Sequence, residues 1–146
     1  MNNYIILDNQ LKTEEFIHLW RDAGWGDIPQ DIVETALKNS YATFSVLDGE
    51  CVIAMARLLG DGSMSFFLKD FAVLEEYRGK GVGSTLLSHV DDYIRAQLKP
   101  GWKGFLELVS AKDKEAFYCK NGYCIESGAE SGAAMYKWID SHDKLC

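Results

Sequence analysis

Six residues in a row, Arg78-Gly79-Lys80-Gly81-Val82-Gly83, stand immediately before an apolar helical stretch. Glycine in the interior of a helix or strand costs stability, so three of them at alternate positions need a reason. The first turn of a helix carries backbone N–H groups with no partner inside the helix. Their partial positive charge attracts anions, and missing side chains let a phosphate approach the backbone. Arg78 and Lys80 add charge at the rim. The stretch through Ser84 therefore reads as a phosphate- or pyrophosphate-binding loop. Two further residues could do chemistry. Asp70 and Glu107 are carboxylates inside otherwise apolar strands, where an unpaired charge is costly. Each carboxylate could help deprotonate an amine, or could pair with Arg57, Lys69 or Lys103.

Two familiar phosphate loops do not fit. A Walker A loop needs Gly-Lys followed by Ser or Thr, and Gly79-Lys80 is followed by Gly81. A dinucleotide fingerprint needs a third glycine at position 84, which is Ser84, and it opens a parallel unit rather than following an antiparallel meander. Cys119 lies beside Tyr118, but no histidine is near it in sequence, which argues against a cysteine nucleophile. His18, His89 and His142 are scattered, and Cys51, Cys119, Cys124 and Cys146 form no CxxC pair, so free thiols and no metal site are expected.

The elements that must position these groups follow from periodicity. Tyr4–Leu7 reads as a short strand. Phe16, Ile17, Leu19 and Trp20 form one face of a helix that Gly24 and Gly26 end, and a second helix opens at Pro29 and Asp31. Tyr41–Leu47 and Cys51–Leu59 are strands joined by an Asp48-Gly49 turn. Met64–Val73 is apolar on both faces and reads as a central strand covered on both sides. Val82, Leu86, Leu87, Val90, Tyr93, Ile94 and Leu98 then repeat at helical spacing until Pro100-Gly101. Phe105–Val109 is a further strand, and Lys114–Asn121 a short helix closed by Gly122. Tyr123–Ile125 and Ala134–Ile139 are expected as late strands that could also pair between subunits, leaving a homodimer open. The order predicts a mixed α/β sheet in a single domain, 1–146.

Composition narrows the partners. The 146 residues include 47% apolar side chains, enough for a real core, and a net charge of −7 disfavours nucleic acid and anionic membranes and mildly favours a cationic small molecule. No apolar run reaches transmembrane length and MNNYIILDNQ lacks the pattern of a signal peptide, so a cytoplasmic protein is expected.

The loop matches Arg/Gln-x-x-Gly-x-Gly/Ala, and in this it resembles the pyrophosphate loop of the GNAT N-acetyltransferases. Asp70–Tyr77 is similar to that family's fourth strand and its lead into the loop. Ala116–Tyr123, AFYCKNGY, resembles the family's FYxKxGF segment. The resemblance covers nearly the whole chain and implies an α+β acyl-CoA N-acyltransferase fold, with a mostly antiparallel central sheet flanked by helices. It also implies acetyl-CoA as co-substrate, no metal, and direct attack by an amine on the thioester. Phe71, Ala72 and Val73 would offer backbone to the pantetheine arm as an added strand. A backbone N–H near Val73 would stabilise the carbonyl oxygen, and Arg78, Gly79, Lys80, Gly81, Val82, Gly83 and Ser84 would hold the pyrophosphate. Tyr118 would protonate the departing thiolate. Trp25, Asp27 and Tyr41 could line the acceptor entrance. The chain departs from the pattern at Ala111, where many relatives carry Asn. A non-catalytic acyl-CoA-binding module and a protein N-acetyltransferase on the same fold are the alternatives.

Overall fold

The computed structural model describes residues 3–125 together with 132, 134, 135, 137 and 138. Two compact units divide the chain, Met1–Val109 and Ser110–Cys146. The first holds β1 (Ile5–Asp8), α1 (Thr13–Asp22), α2 (Gln30–Lys38), β2 (Ala42–Asp48), β3 (Cys51–Gly60), β4 (Ser65–Val73), a 3-10 turn at Glu75–Tyr77, α3 (Val82–Gln97) and β5 (Phe105–Glu107). The second holds α4 (Glu115–Lys120).

The sheet runs β1-β2-β3-β4-β5, antiparallel throughout except for the parallel pairing of β4 with β5. This is the mixed sheet that the order of elements predicts, and the mostly antiparallel one that the family resemblance implies. Its main core lies under α3, whose Val82, Leu86, Leu87, Val90 and Ile94 are all buried. Phe44 marks the sheet face beneath, packing edge-on against Tyr93 at 5.1 Å. Residues in register with it, Ala56 beside Phe44 and Leu58 beside Ala42, share that face because side chains alternate along a strand. Helix α1 packs against β3 and β4 and buries Phe16 and Leu19, while Ile17 and Trp20 are only half-buried.

Strand β4 departs from regular alternation. Leu68 pairs with Leu58, on the α3 side, whereas Ala72 pairs with Met55, which pairs with Ser45 on the other side. Two even-numbered residues of one strand thus face opposite ways. The register shift opposite Met55–Arg57 accounts for it: Asp70 and Phe71 together oppose one residue of β3, and Asp70 sits at φ 53. This is a β-bulge, which inserts one residue and reverses the strand's sidedness beyond it.

Three expectations change. Strand β4 is covered on both faces only in part: α1 and α3 both pack on it, yet Asp70, Phe71 and Val73 are half-buried and Lys69 is exposed. Strand β5 pairs only with Ser65–Phe67 and ends at Glu107, short of the expected Val109. Glu107 is accordingly not a buried carboxylate. It stands exposed at the last position of a three-residue edge strand. Residues 123–125 form no strand, because α4 closes through Gly122 at φ 94 into irregular backbone. The other late strand expected at 134–139 falls partly outside the described residues.

Candidate active site

In the first unit the candidate site begins where β4 reaches the glycine loop. Backbone groups of successive strand residues point to alternate sides. Phe105 N–H donates to the Met64 carbonyl, so Met64 faces β5, and Asp61 N–H donates to the Ser65 carbonyl on the β3 side. Beyond the bulge the order is reversed, for Leu74 N–H donates to Ile53 of β3. Val73, and Phe71 two residues before it, therefore turn their backbone toward the side on which β5 has already stopped. The Val73 carbonyl there accepts the Arg78 Nε–H at 2.9 Å.

Arg78 is thus turned back onto the end of the strand. Its Nη2 also lies 3.5 Å from Asp22, whose same carboxylate oxygen accepts the Glu75 N–H at 3.0 Å. Asp22, at the end of α1, fastens the entry to the loop, a role nothing local in the sequence announces. Lys80 is exposed, with its ammonium 5.6 Å from the centre of the Tyr77 ring. The Tyr77 hydroxyl donates to Asp48 at 2.8 Å, and that carboxylate pushes the phenol up to about 12.

Gly79 and Gly81 have φ values of 72° and 85°, a region that side chains other than glycine rarely adopt. A Cβ at either position would meet nothing within 4 Å, so conformation and not crowding by the protein requires glycine there. Gly81 is the residue preceding α3, and the first bond inside the helix is Thr85 N–H to the Gly81 carbonyl at 3.0 Å. No side chain caps the helix, and no acidic residue stands in its first turn. The amides of Val82, Gly83 and Ser84 precede that first bond and have no partner within the helix. An open backbone, unmatched donors and a helix dipole are what an anionic diphosphate requires, so these residues fit the phosphate portion of an acyl-CoA.

Asp70 is not poised as a free base. Its Oδ2 lies 2.7 Å from Arg57 Nε, with the side chains 12% and 15% exposed. Trp25 packs edge-on against Trp20 at 5.1 Å, Asp27 pairs with Arg21 at 3.0 Å, and Tyr41 packs against Phe66. The structure thus gathers Val73 and the loop from Arg78 to Ser84, and gives Asp70, Trp25, Asp27 and Tyr41 partners of their own.

In the second unit, α4 carries Tyr118. Its ring meets Phe117 at 5.1 Å and Tyr123 at 5.7 Å, both edge-on, and burial raises the phenol above its usual value of 10.0. The group is therefore protonated at neutral pH. The Ala111 carbonyl accepts the Lys114 N–H ahead of this helix. Among the described residues, no group of three or more His, Cys, Asp or Glu side chains could hold a metal ion, and no helix is long and apolar enough to cross a membrane. Cys51, Cys119 and Cys124 are free thiols.

Comparison with known proteins identifies the family. Residues 39–125 match the family described as the acetyltransferase (GNAT) domain. An uncharacterized ycf52-like N-acetyltransferase of Prochlorococcus marinus is 28% identical over 144 residues, covering 92% of this chain and 77% of that protein. A GNAT family acetyltransferase of Streptococcus pneumoniae has a structure superposing with TM-score 0.71 at 27% identity, over 94% of this chain and 98% of that one. An aminoglycoside acetyltransferase from a soil metagenome, solved in complex with sisomicin, shares the fold with TM-score 0.71 at 14% identity, over 94% and 97% of the two chains. The sheet, the glycine loop and the matched segment agree: this chain belongs to the GNAT acetyltransferase family.

Proposed function

We propose that the chain is a cytoplasmic, acetyl-CoA-dependent N-acetyltransferase whose acceptor is a primary amine of a small molecule. The observation that carries this is the start of α3. Three helix amides stand there without a cap, preceded by glycines at positive φ and reached from the strand end at Val73 through the 3-10 turn at Glu75–Tyr77. Acetyl-CoA, when bound, supplies an acetyl group activated as a thioester.

The chain's residues then divide the work. The amides of Val82, Gly83 and Ser84 bind the diphosphate, with Lys80 adding positive charge. Phe71, Ala72 and Val73 serve as a strand edge for the pantetheine arm, and an N–H near Val73 polarises the thioester carbonyl. Tyr118 holds its proton and gives it to sulfur as the C–S bond breaks and the C–N bond forms. The proton lost by the amine passes to water, since Asp70 is committed to Arg57. The net charge of −7 favours a cationic acceptor, and the aminoglycoside enzyme of the same fold is a precedent for one.

A turnover screen of acetyl-CoA against an amine library, reading free thiol, tests the assignment. Thiol release with a small cationic amine is expected. A protein that binds acetyl-CoA and releases no thiol with any amine would instead be a non-catalytic acyl-CoA module.

A further inference from the structure

The bulge in β4 has a device of its own. Asp70 adopts φ 53, a strained conformation for a residue with a side chain, which persists only where the surroundings over-determine it. What holds it stands on the neighbouring strand. Arg57 is in register with Lys69, one residue from the β3 position that the bulge opposes, its Nε 2.7 Å from Asp70 Oδ2, and its Nη1 lies 3.5 Å from Ser40 Oγ. Both charges are largely buried, so each depends on the other. The bulge in turn decides which backbone groups face the edge that β5 leaves. With regular alternation, the position that directs Met64 toward β5 would direct Ala72 and Leu74 there too. With the bulge, Leu74 pairs with Ile53 and Val73 faces outward.

We propose that Arg57 and Asp70 are positioning residues that lock the β4 bulge and thereby select the backbone presented to the acyl-CoA. Neither touches the reacting atoms in this account. The inference rests on the acetyl-CoA reading above, and the experiment separates the two.

Acetyl-CoA is titrated calorimetrically into the parent protein, Arg57→Met, and the double variant Arg57→Met/Asp70→Gly, with folding checked by thermal melting. Arg57→Met leaves Asp70 charged, unpaired and strained, and its affinity should fall roughly tenfold or more. The double variant removes the stranded charge and puts glycine where φ is positive, so its affinity should return to within about threefold of the parent. A pair that only stabilised the fold would leave the affinity of folded Arg57→Met at the parental value, and that result overturns the proposal. Should Arg57→Met not fold, Arg57→Met/Asp70→Val replaces it, since a β-branched residue rejects positive φ. The valine version must then bind at least roughly tenfold more weakly than the glycine version, and equal binding overturns the proposal. A parent protein that binds no acetyl-CoA would overturn the cofactor reading itself, whatever the variants do.

Discussion

Two glycine turns flank β4, and they treat their backbone amides in opposite ways. In the turn before it, the Asp61 carboxylate accepts N–H groups from Ser63, Met64 and Ser65 at 2.9, 2.9 and 3.1 Å, and a Cβ on Gly62 would lie 3.2 Å from the Tyr41 ring. Those three donors hold the Asp61 carboxyl below its usual value. In the turn after β4, Gly79 and Gly81 adopt the same positive φ, but the amides of α3 have no carboxylate and the space above the glycines is open. One turn carries its own anion, and the other leaves the place for one. Glycine content alone does not separate them. The presence or absence of an internal acceptor does, and the lowered pKa of Asp61 shows that a cluster of amides favours a negative charge.

The largest expected effect comes from a change that spares both turns. Tyr118→Phe removes one hydroxyl, and turnover should fall roughly 10²- to 10⁴-fold while acetyl-CoA affinity holds. Because burial raises the Tyr118 phenol above 10.0, the loss of rate due to its ionisation should lie above that pH in the parent and be absent from the variant. Steady-state rates and calorimetry on the true acceptor check both. A rate within a few-fold of the parent would remove Tyr118 as the acid.

Gly81→Asp makes the second turn resemble the first. It places a carboxylate beside the unmatched amides and a side chain at φ 85. Acetyl-CoA affinity should drop roughly tenfold to a hundredfold, the cost of a strained residue added to charge repulsion. Unchanged affinity in a folded variant would mean the loop is an ordinary turn.

Asp61→Ala empties the first turn and should have the smallest effect, a melting temperature lowered on the order of a few degrees at pH 7. A carboxyl whose pKa is depressed in the folded state contributes stability above its unfolded value and loses it as the pH falls through the folded value. The parent and variant melting curves should therefore converge below about pH 3.8, the ordinary value for Asp61. A difference that persists in acid would point to packing.

The contrast between these turns was half legible in the sequence. The glycine spacing before an apolar helical repeat marks the second turn, and the buried Val82, Leu86, Leu87, Val90 and Ile94 follow that repeat. These are local features, set by period and backbone preference. The contacts that set the site's geometry are not local. Asp22 meets Glu75 across 53 positions. The reversal of β4 depends on a register with β3 that no alternation within MSFFLKDFAV reveals. Arg57 was readable as one candidate partner for Asp70, beside Lys69 and Lys103, because a carboxylate in an apolar strand is costly unless paired. That the pair marks a bulge was not. Glu107 misled for a related reason: strand composition suggests burial, but β5 is a short edge that pairs with β4 over only three residues.

The central claim is that the open turn holds the diphosphate of an acyl-CoA. Parallel titrations of the parent protein with CoA, NAD and pantetheine, the arm without diphosphate, test it most directly. At a hundredfold excess over its dissociation constant, CoA should stabilise the fold by about 2.7 kcal/mol, while pantetheine and NAD bind far more weakly. Pantetheine binding as tightly as CoA, or NAD binding where CoA does not, would contradict it.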